Sequence, residues 1–434
     1  LGKLNYVNQA KIRMKRIIVF GPGPQFKGGI ANFTLSLAKS IEQQGAQVDL
    51  VSWTQQYPAI IPRDFIDRSS KADLLEGTHI KVHYLCNYNN PFSWAATARF
   101  IASCKPDKVI FQWAIAIQGL PMGWIARKVK SLSPKTEILF DVHNVVQKET
   151  GSLDKKLTRY ALLSADSYIM HGEITLDEFR NFLPEIDVFE SNDGIRSSEK
   201  RSVLKLYHPI YDIFKPNPTL DVEALKKEWG LGKTVFLFFG FIRKYKGLHY
   251  AIESFAKIAK VHPEASLLIV GESFWDTVDK TSTRVRIQTT LFRLLKSIFI
   301  RSKDQERDYR PLELIAQLGI EKQVVVVNKF IPNEEVNRYF QVSDAVVNFY
   351  EYATPSGVES IAYNFQKPIL ATRVGHFANA IVDGENGYLA EAADVQSMAN
   401  TLERFIENPI PANKVKSFAD QLSWSNYAAI ILNG

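Results

Sequence analysis

Short runs of apolar residues, rich in Val, Ile and Phe, alternate along the chain with longer stretches whose apolar positions recur every three or four residues. In the first half the short runs are Ile17–Gly21, Val48–Trp53, Ile80–Leu85, Val109–Trp113, Ile138–His143 and Ser167–His171. In the second half they are Val235–Phe241, Ser266–Gly271, Val324–Phe330, Ala345–Phe349 and Pro368–Thr372. Without clean alternation of apolar and polar positions, such runs suit strands buried on both faces, as in a parallel sheet. Amphipathic stretches such as Ile30–Gln44 and His249–Val261 supply the crossovers. The pattern predicts an α/β protein: two Rossmann-like, doubly wound parallel-sheet domains facing a cleft.

The break between the halves reads HPIYDIFKPNP, His208–Pro218, with three prolines in eleven residues. Each proline restricts its own and the preceding backbone, so the segment reads as a linker. The expected organisation is a first domain over 15–207, a linker over 208–218 and a second domain over 219–412, followed by a final segment over 413–434. Residues 1–14 are set aside as an extension. Open α/β sheets bind ligands beyond the carboxyl ends of their strands, so the chemistry is expected in the cleft.

Composition narrows the class. At 434 residues, 46% hydrophobic and 23% charged, the chain buries large cores and is neither disordered nor a disulfide scaffold. Its two cysteines, Cys86 and Cys104, lack metal-ligand spacing and suit a reduced compartment. Neither a signal peptide pattern nor an apolar run of about 18 residues is visible. A cytoplasmic location is expected. The net charge of +7 is concentrated: Lys280 to Lys303 holds seven basic residues and no acid. The remainder is balanced, so a nucleic-acid partner is not expected.

The first strand runs into GPGPQFKGGIANF. The dinucleotide fingerprint fails there, because Phe26 occupies the third glycine position, and no Gly-Lys-Ser/Thr follows for a P-loop. Gly28 and Gly29 nevertheless leave bare amides at a helix start, which suits an anion or only a tight turn. The second half opens similarly with VFLFFGFIRKYKG, where Arg243 and Lys246 precede a helix. They suit a diphosphate, or form a solvated basic turn. A third helix start, ATPSGVESIAY, offers Ser356 as a cap and Gly357 for close approach. Glu351 and Glu359 flank it, a pair that invites an acid/base reading but arises readily by chance. His143, in ILFDVHN, either points into the crevice or is a satisfied structural histidine. His79 and His83 would lie about 13 Å apart on a strand, so no metal site is expected.

These motifs, in this order, resemble glycosyltransferase family 4, the retaining nucleotide-sugar transferases of GT-B fold. The resemblance covers nearly the whole chain from Lys15. It is strongest in GFIRKYKG, LLIVGESFWD, FIPNEEVNRYFQVSDAVVNFY and ATPSGVESIAYNFQKPILATRVGHFANAIVDGENGYL, with SWSNYA near the end similar to a closing helix that crosses back to the first domain.

The resemblance implies that Lys246 holds the donor diphosphate. Arg243 stands in for an arginine whose usual position is Phe241. Gly28 and Gly29 approach the phosphates, His143 approaches the transferred sugar, and Ser356, Gly357 and Val358 bind at a helix start. The family's two glutamates, counted back from Pro368, fall on Ala353 and Ile361, whereas Glu351 and Glu359 sit two residues early. They are carried as catalytic candidates at the displaced positions. A UDP- or GDP-linked sugar is the implied co-substrate, with no metal or other cofactor. The implied acceptor is a glycan or a lipid-linked molecule, as in bacterial surface polysaccharide synthesis. The alternative is an inactive GT-B subunit that binds donor or membrane.

One segment departs from the family's spacing. Residues 277–310 form a basic insertion in which Ile287, Leu291, Leu294, Leu295 and Ile298 make one helical stripe. Arg286, Arg293 and Lys296 lie opposite. A helix of this kind suits contact with an anionic membrane surface, or packing of its stripe on the domain.

Overall fold

Each half of the chain winds its apolar runs into one wholly parallel sheet. The computed structural model describes residues 13–58, 65–145, 151–273 and 309–433. The first sheet has eight strands: β1 (Arg16–Phe20), β2 (Gln47–Gln55), β3 (Lys81–Asn87), β4 (Lys108–Trp113), β5 (Glu137–Val142), β6 (Ser167–His171), β7 (Val188–Ser191) and β8 (Arg201–Leu206). They are ordered β3-β2-β1-β4-β5-β6-β8-β7. The second has six: β9 (Thr234–Phe239), β10 (Ala265–Val270), β11 (Val324–Val327), β12 (Ala345–Asn348), β13 (Ile369–Thr372) and β14 (Gly387–Ala390), ordered β11-β10-β9-β12-β13-β14. Every pairing within either sheet is parallel. Two doubly wound α/β domains are thus present.

The inner strands β4 and β10 are buried at every position, the polar Lys108, Gln112 and Ser266 included. Three strands escape the apolar pattern. β7 and β14 have four residues each, and β8, RSVLKL, carries charges at both ends. β7 and β14 are edge strands, where only short pairing is needed, and β8 is charged where its ends meet solvent. The expected boundaries also run long at several carboxyl ends. Phe241, Gly271 and Phe330 leave the ladder because the chain turns there into the cleft loops.

In the first domain, α2 (Pro91–Ser103), α3 (Gly119–Leu132), α4 (Ser152–Leu162) and α5 (Glu173–Phe182) cover one face of the sheet, packing on Phe20, Phe111 and Phe140. The other face takes α1 (Gly29–Gln43), which is itself covered by the C-terminal helix Trp424–Leu432. That helix returns across the linker: Trp424, Tyr427 and Ile431 are buried, and Ser40 Oγ donates to the Trp424 carbonyl at 2.8 Å. Both faces of α1 are therefore buried, which accounts for its run of nine buried residues from Ala31 to Ile41.

Strand order reverses direction beside β1 in the first sheet and beside β9 in the second. Loops leaving the carboxyl ends of strands at such a point diverge to opposite faces and open a crevice. The loops after β1, β9 and β12 are the ones that line the cleft described below.

Candidate active site

A cavity of about 250 Å³ lies between the domains. The loop after β1 contributes Gly28 and Gly29, the loop after β9 contributes Gly240 and Lys246, and the loop after β12 contributes Tyr350, Ser356, Gly357 and Val358. Two helix N-termini face it from opposite domains: α1, capped by Gly28, and the helix Gly357–Asn364, capped by Ser356. Gly28 has φ 107°, a left-handed conformation that leaves its amides bare and that other residues rarely adopt. Opposed amides and partial positive charges of this kind suit an anion.

Tyr211 joins these two helix starts. Its hydroxyl donates to the Gly29 carbonyl at 2.8 Å, and a Cβ on Gly357 would stand 2.7 Å from its ring. Glycine at 357 therefore lets the buried ring of Tyr211 sit flat against the second helix start. The linker thus supplies part of the site, a contribution that prolines and a lone tyrosine in the sequence do not signal.

Two lysines line the cavity, Lys246 and Lys329, and Lys246 is the one in the loop after β9. Its ammonium has no carboxylate partner among the described residues and lies 5.8 Å from the centre of the Tyr350 ring. A Cβ on Gly240 would come within 3.0 Å of Nζ, so the glycine makes room for it. Burial, with the positive charge of Arg243 nearby, lowers its pKa to about 8. Ser356 Oγ and Tyr350 Oη are buried without a hydrogen-bond partner. Buried polar groups in native proteins are normally satisfied, so two orphan hydroxyls near a buried ammonium suit a polar ligand.

Of the residues singled out in the sequence, the cavity brings together Gly28, Gly29, Lys246, Ser356, Gly357 and Val358. Arg243 stays outside its lining, with its guanidinium 5.8 Å from the centre of the Tyr245 ring, and acts on Lys246 through charge. Glu351 is exposed outside the cavity, where its amide donates to the Tyr245 carbonyl. Glu359 is buried against His376, Nε2 to Oε1 3.1 Å, and also does not reach the lining. It occupies the first turn of a helix whose outer face leads to the cavity and whose inner face leads to the His376 loop. Ile361, where the resemblance places a glutamate, does line the cavity, and Ala353 is a buried backbone partner of His376. Arg286, Arg293 and Lys296 lie outside the described residues.

His143 is not among the lining residues. It is buried, hydrogen-bonded to Gln112 Oε1 at 2.8 Å and edge-on to Phe33. Phe33 is also in ring contact with His171, His208, Trp424 and Tyr427. Burial pushes the His143 pKa down to about 3, partly opposed by Asp141. Burial lowers His208 as well, aided by the neighbouring histidines. The unfolded chain therefore binds protons below pH ~6.5 that the fold rejects, and stability rises with pH through that window. His143 alone costs roughly 1–2 kcal/mol at pH 5.5. A melting series from pH 8 to pH 5 is expected to show the decline, and His143→Gln to flatten it.

The domains touch on both sides of the cavity. Asn333 N–H donates to Ser70 Oγ at 3.0 Å, Lys71 N–H donates to Glu334 at 3.0 Å, and Tyr352 Oη donates to Glu178 at 2.7 Å. Asp67, Asn32, Phe330 and Tyr352 also line the cavity, as do the charged side chains of Glu272 and Lys329. Among the described residues, no group of three or more His, Cys, Asp or Glu is gathered as metal ligands.

Two parallel-sheet α/β domains facing a cleft are the architecture of the GT-B glycosyltransferase fold. Residues 221–422, the second domain and its return segment, match the family model of glycosyl transferases group 1. Spore coat protein SA of Bacillus subtilis is 23% identical over 274 residues, 61% of each chain. D-inositol 3-phosphate glycosyltransferase of Corynebacterium urealyticum is 24% identical over 258 residues, 56% of this chain and 53% of that one. The chain thus spans little more than half the length of these curated relatives in alignment. The structure of Anabaena HepE in complex with UDP and glucose superposes with a TM-score of 0.64 at 16% identity, over 94% of this chain and 96% of that one.

Proposed function

We propose that this protein is a retaining glycosyltransferase of family 4 that moves a sugar from a UDP- or GDP-linked donor to a glycan or lipid-linked acceptor. The observation that carries the reading is the unpaired Lys246 ammonium set between two opposed helix N-termini in the interdomain cleft. In glycosyl transfer the diphosphate leaves with growing negative charge. A preorganised cation and bare amides stabilise that charge more than the ground state. Gly28, Gly29, Ser356, Gly357 and Val358 would supply amides and a hydroxyl, with Lys246 taking the charge. Contact between the domains would exclude water and so limit hydrolysis of the donor. Neither Glu351 nor Glu359 is given a role at the reacting carbon in this arrangement, and His143 acts by holding the wall of the acceptor-side domain.

The test is release of nucleoside diphosphate from a panel of UDP-, GDP- and ADP-sugars in EDTA, with donor binding followed separately by calorimetry. Turnover of one donor establishes the activity and its base. Binding without release for any acceptor tried would favour the non-catalytic donor-binding subunit, and no binding of any donor would overturn the reading.

The pKa of Lys246 adds a signature. The diphosphate binds the ammonium form, so affinity is expected to be level below pH ~8 and to fall up to tenfold per pH unit above it. Binding near pH 8–9 should take up a proton, read from the dependence of calorimetric enthalpy on buffer. A level profile to pH 10 would show that Lys246 is not the counter-ion.

A further inference from the structure

A second cavity, of about 450 Å³, lies towards the other end of α1 from the interdomain cavity. The first turn of α1 gives Gly29 and Asn32 to the interdomain cavity, and its later turns give Ser36, Lys39 and Gln43 to the second. Along the helix, Gly29 and Lys39 stand roughly 15 Å apart. The linker divides in the same way: Tyr211 lines the first cavity, and the next residues, Asp212 and Ile213, line the second. The remaining wall comes from residues 72–77, between β2 and β3, and from Trp424 at the start of the C-terminal helix. Its volume falls within the range of about 300–1,000 Å³ typical of small-molecule sites.

Polar groups in this wall have unused capacity. Ser36 is 3% exposed, yet its hydroxyl has no hydrogen-bond partner. A helical hydroxyl commonly returns to the carbonyl four residues back, as Thr34 does to Ile30 at 2.6 Å, and Ser36 does not. Asp212 is half-buried, and among the described residues no ion pair joins it to either nearby lysine. Burial raises its pKa, opposed by the positive charges of Lys215 and Lys39. Lys39 Nζ donates to the Leu74 carbonyl at 3.3 Å, which uses one of its three N–H groups. The apolar part of the wall is Leu74, Ile213 and the buried ring of Trp424. The indole N–H of Trp424 is already given to the Ile210 carbonyl at 2.6 Å, so this side chain offers only apolar surface.

The charges of the wall nearly cancel, with Lys39 and Lys215 set against Asp73, Glu76 and Asp212. Such a wall selects an ion of neither sign. Among the described residues, its carboxylates are not gathered as metal ligands either. What it offers is a mixture of hydrogen-bond donors and acceptors beside an apolar surface. Vicinal hydroxyls both donate and accept, so they can satisfy that mixture, while the CH face of a sugar ring covers the apolar part. We propose that this cavity is a second ligand site, for a neutral polyhydroxylated molecule of one or two sugar rings. The buried Ser36 hydroxyl and the Asp212 carboxylate are the groups it would satisfy. The site is separate from the interdomain cleft, and the inference does not depend on the transferase reading.

The experiment is saturation-transfer NMR and calorimetry of the full chain with glucose, galactose, mannose, N-acetylglucosamine and maltose, with no nucleotide present. At least one of these sugars should bind in the millimolar range or tighter, and hydrogen exchange should slow in α1 beyond Ser36 and in residues 72–77. Two variants locate the binding. Ser36→Ala removes an unsatisfied buried hydroxyl, so the melting temperature should hold or rise while the sugar binds about fivefold more weakly. Asp212→Asn should weaken binding by about tenfold or more, because hydrogen bonds to a carboxylate are the stronger ones. A lower melting temperature for Ser36→Ala with unchanged sugar affinity would make Ser36 merely structural and overturn the proposal. So would failure of all five sugars to bind in the millimolar range. Wild-type affinity in both variants, with the sugar displaced by UDP, would place it in the interdomain cleft and equally overturn the assignment. Glucosamine or glucuronate binding far more tightly than glucose would do the same, by making the site one for an ion. Nucleoside diphosphate release without added sugar is unaffected by these outcomes, which keeps a failure here distinct from a failure of the donor site.

Discussion

Lys246→Ala is expected to lower turnover of the preferred nucleotide-sugar by about 10²–10³-fold, the loss typical of one preorganised group facing developing negative charge. The geometry makes the effect specific. Nζ rests against Gly240, where a Cβ would stand 3.0 Å away, and among the described residues no carboxylate pairs with it. If Lys246 acts chiefly on the departing diphosphate, kcat and kcat/KM fall together while KM changes little. If it only anchors the ground state, KM rises and kcat stays. Lys246→Arg offers a control, since it keeps the charge but is too long for the space beside Gly240, and it should recover only part of the rate. A variant with wild-type kcat and KM would remove Lys246 from the mechanism.

The largest stability effect is expected at Asp141, in the layer behind the cavity. Its carboxylate lies 2.9 Å from His171 Nε2 and accepts from Gln112 Nε2 at 3.2 Å and from Tyr427 Oη at 3.3 Å. Burial works against its ionisation, yet His171, His143 and the Gln112 hydrogen bond win and hold its pKa below the usual carboxylate value. Asp141→Ala leaves Gln112 Nε2 without its acceptor and takes the carboxylate from His171 and Tyr427, which keep each other at 2.9 Å; in this buried site that should cost about 3–5 kcal/mol. The loss should appear as a lower melting temperature and as a weakened hold on the C-terminal helix, because Tyr427 is one of its polar ties to the first domain, with Ser40 and Arg196 supplying others. Asp141→Asn, which keeps volume and one acceptor, should lose less. The contribution has a definite pH window. With the folded pKa depressed, the stabilisation is complete above about pH 3.9 and vanishes as pH falls through the folded value. Denaturant melts of wild type and Asp141→Ala at pH 7 and at pH 3 should therefore converge towards acid.

Much of the architecture was legible from periodicity alone. Runs such as RIIVF, KVIFQW and ASLLIV could be buried on both faces only inside a parallel sheet, so the α/β class followed from them. β7, β8 and β14 were not legible, because edge strands are short and a charged strand end in solvent looks like a loop. The glycine-rich helix starts were likewise visible. A bare amide at a helix N-terminus is a local property, set by Gly28 or by the Ser356–Gly357 pair, and needs no distant partner to exist.

Which of those local features share a site is a different matter, because it depends on positions hundreds of residues apart. Gly29 and Gly357 meet only because Tyr211, in the linker, accepts contact from both. His143 and Glu359 carry side chains suited to chemistry, and each has a hydrogen-bond partner on its own domain, Gln112 and His376. Residue type and spacing alone leave that choice open, since a buried polar side chain takes whichever partner satisfies it at the lower desolvation cost. By itself, then, the sequence determined the two parallel-sheet domains and the three helix starts that can receive an anion, through burial pattern and local backbone geometry. Tertiary structure decided that Lys246 stands unpaired between two of those starts, that the linker completes the cradle, and that the histidines hold its wall, because pairing and desolvation are settled only when distant segments pack together.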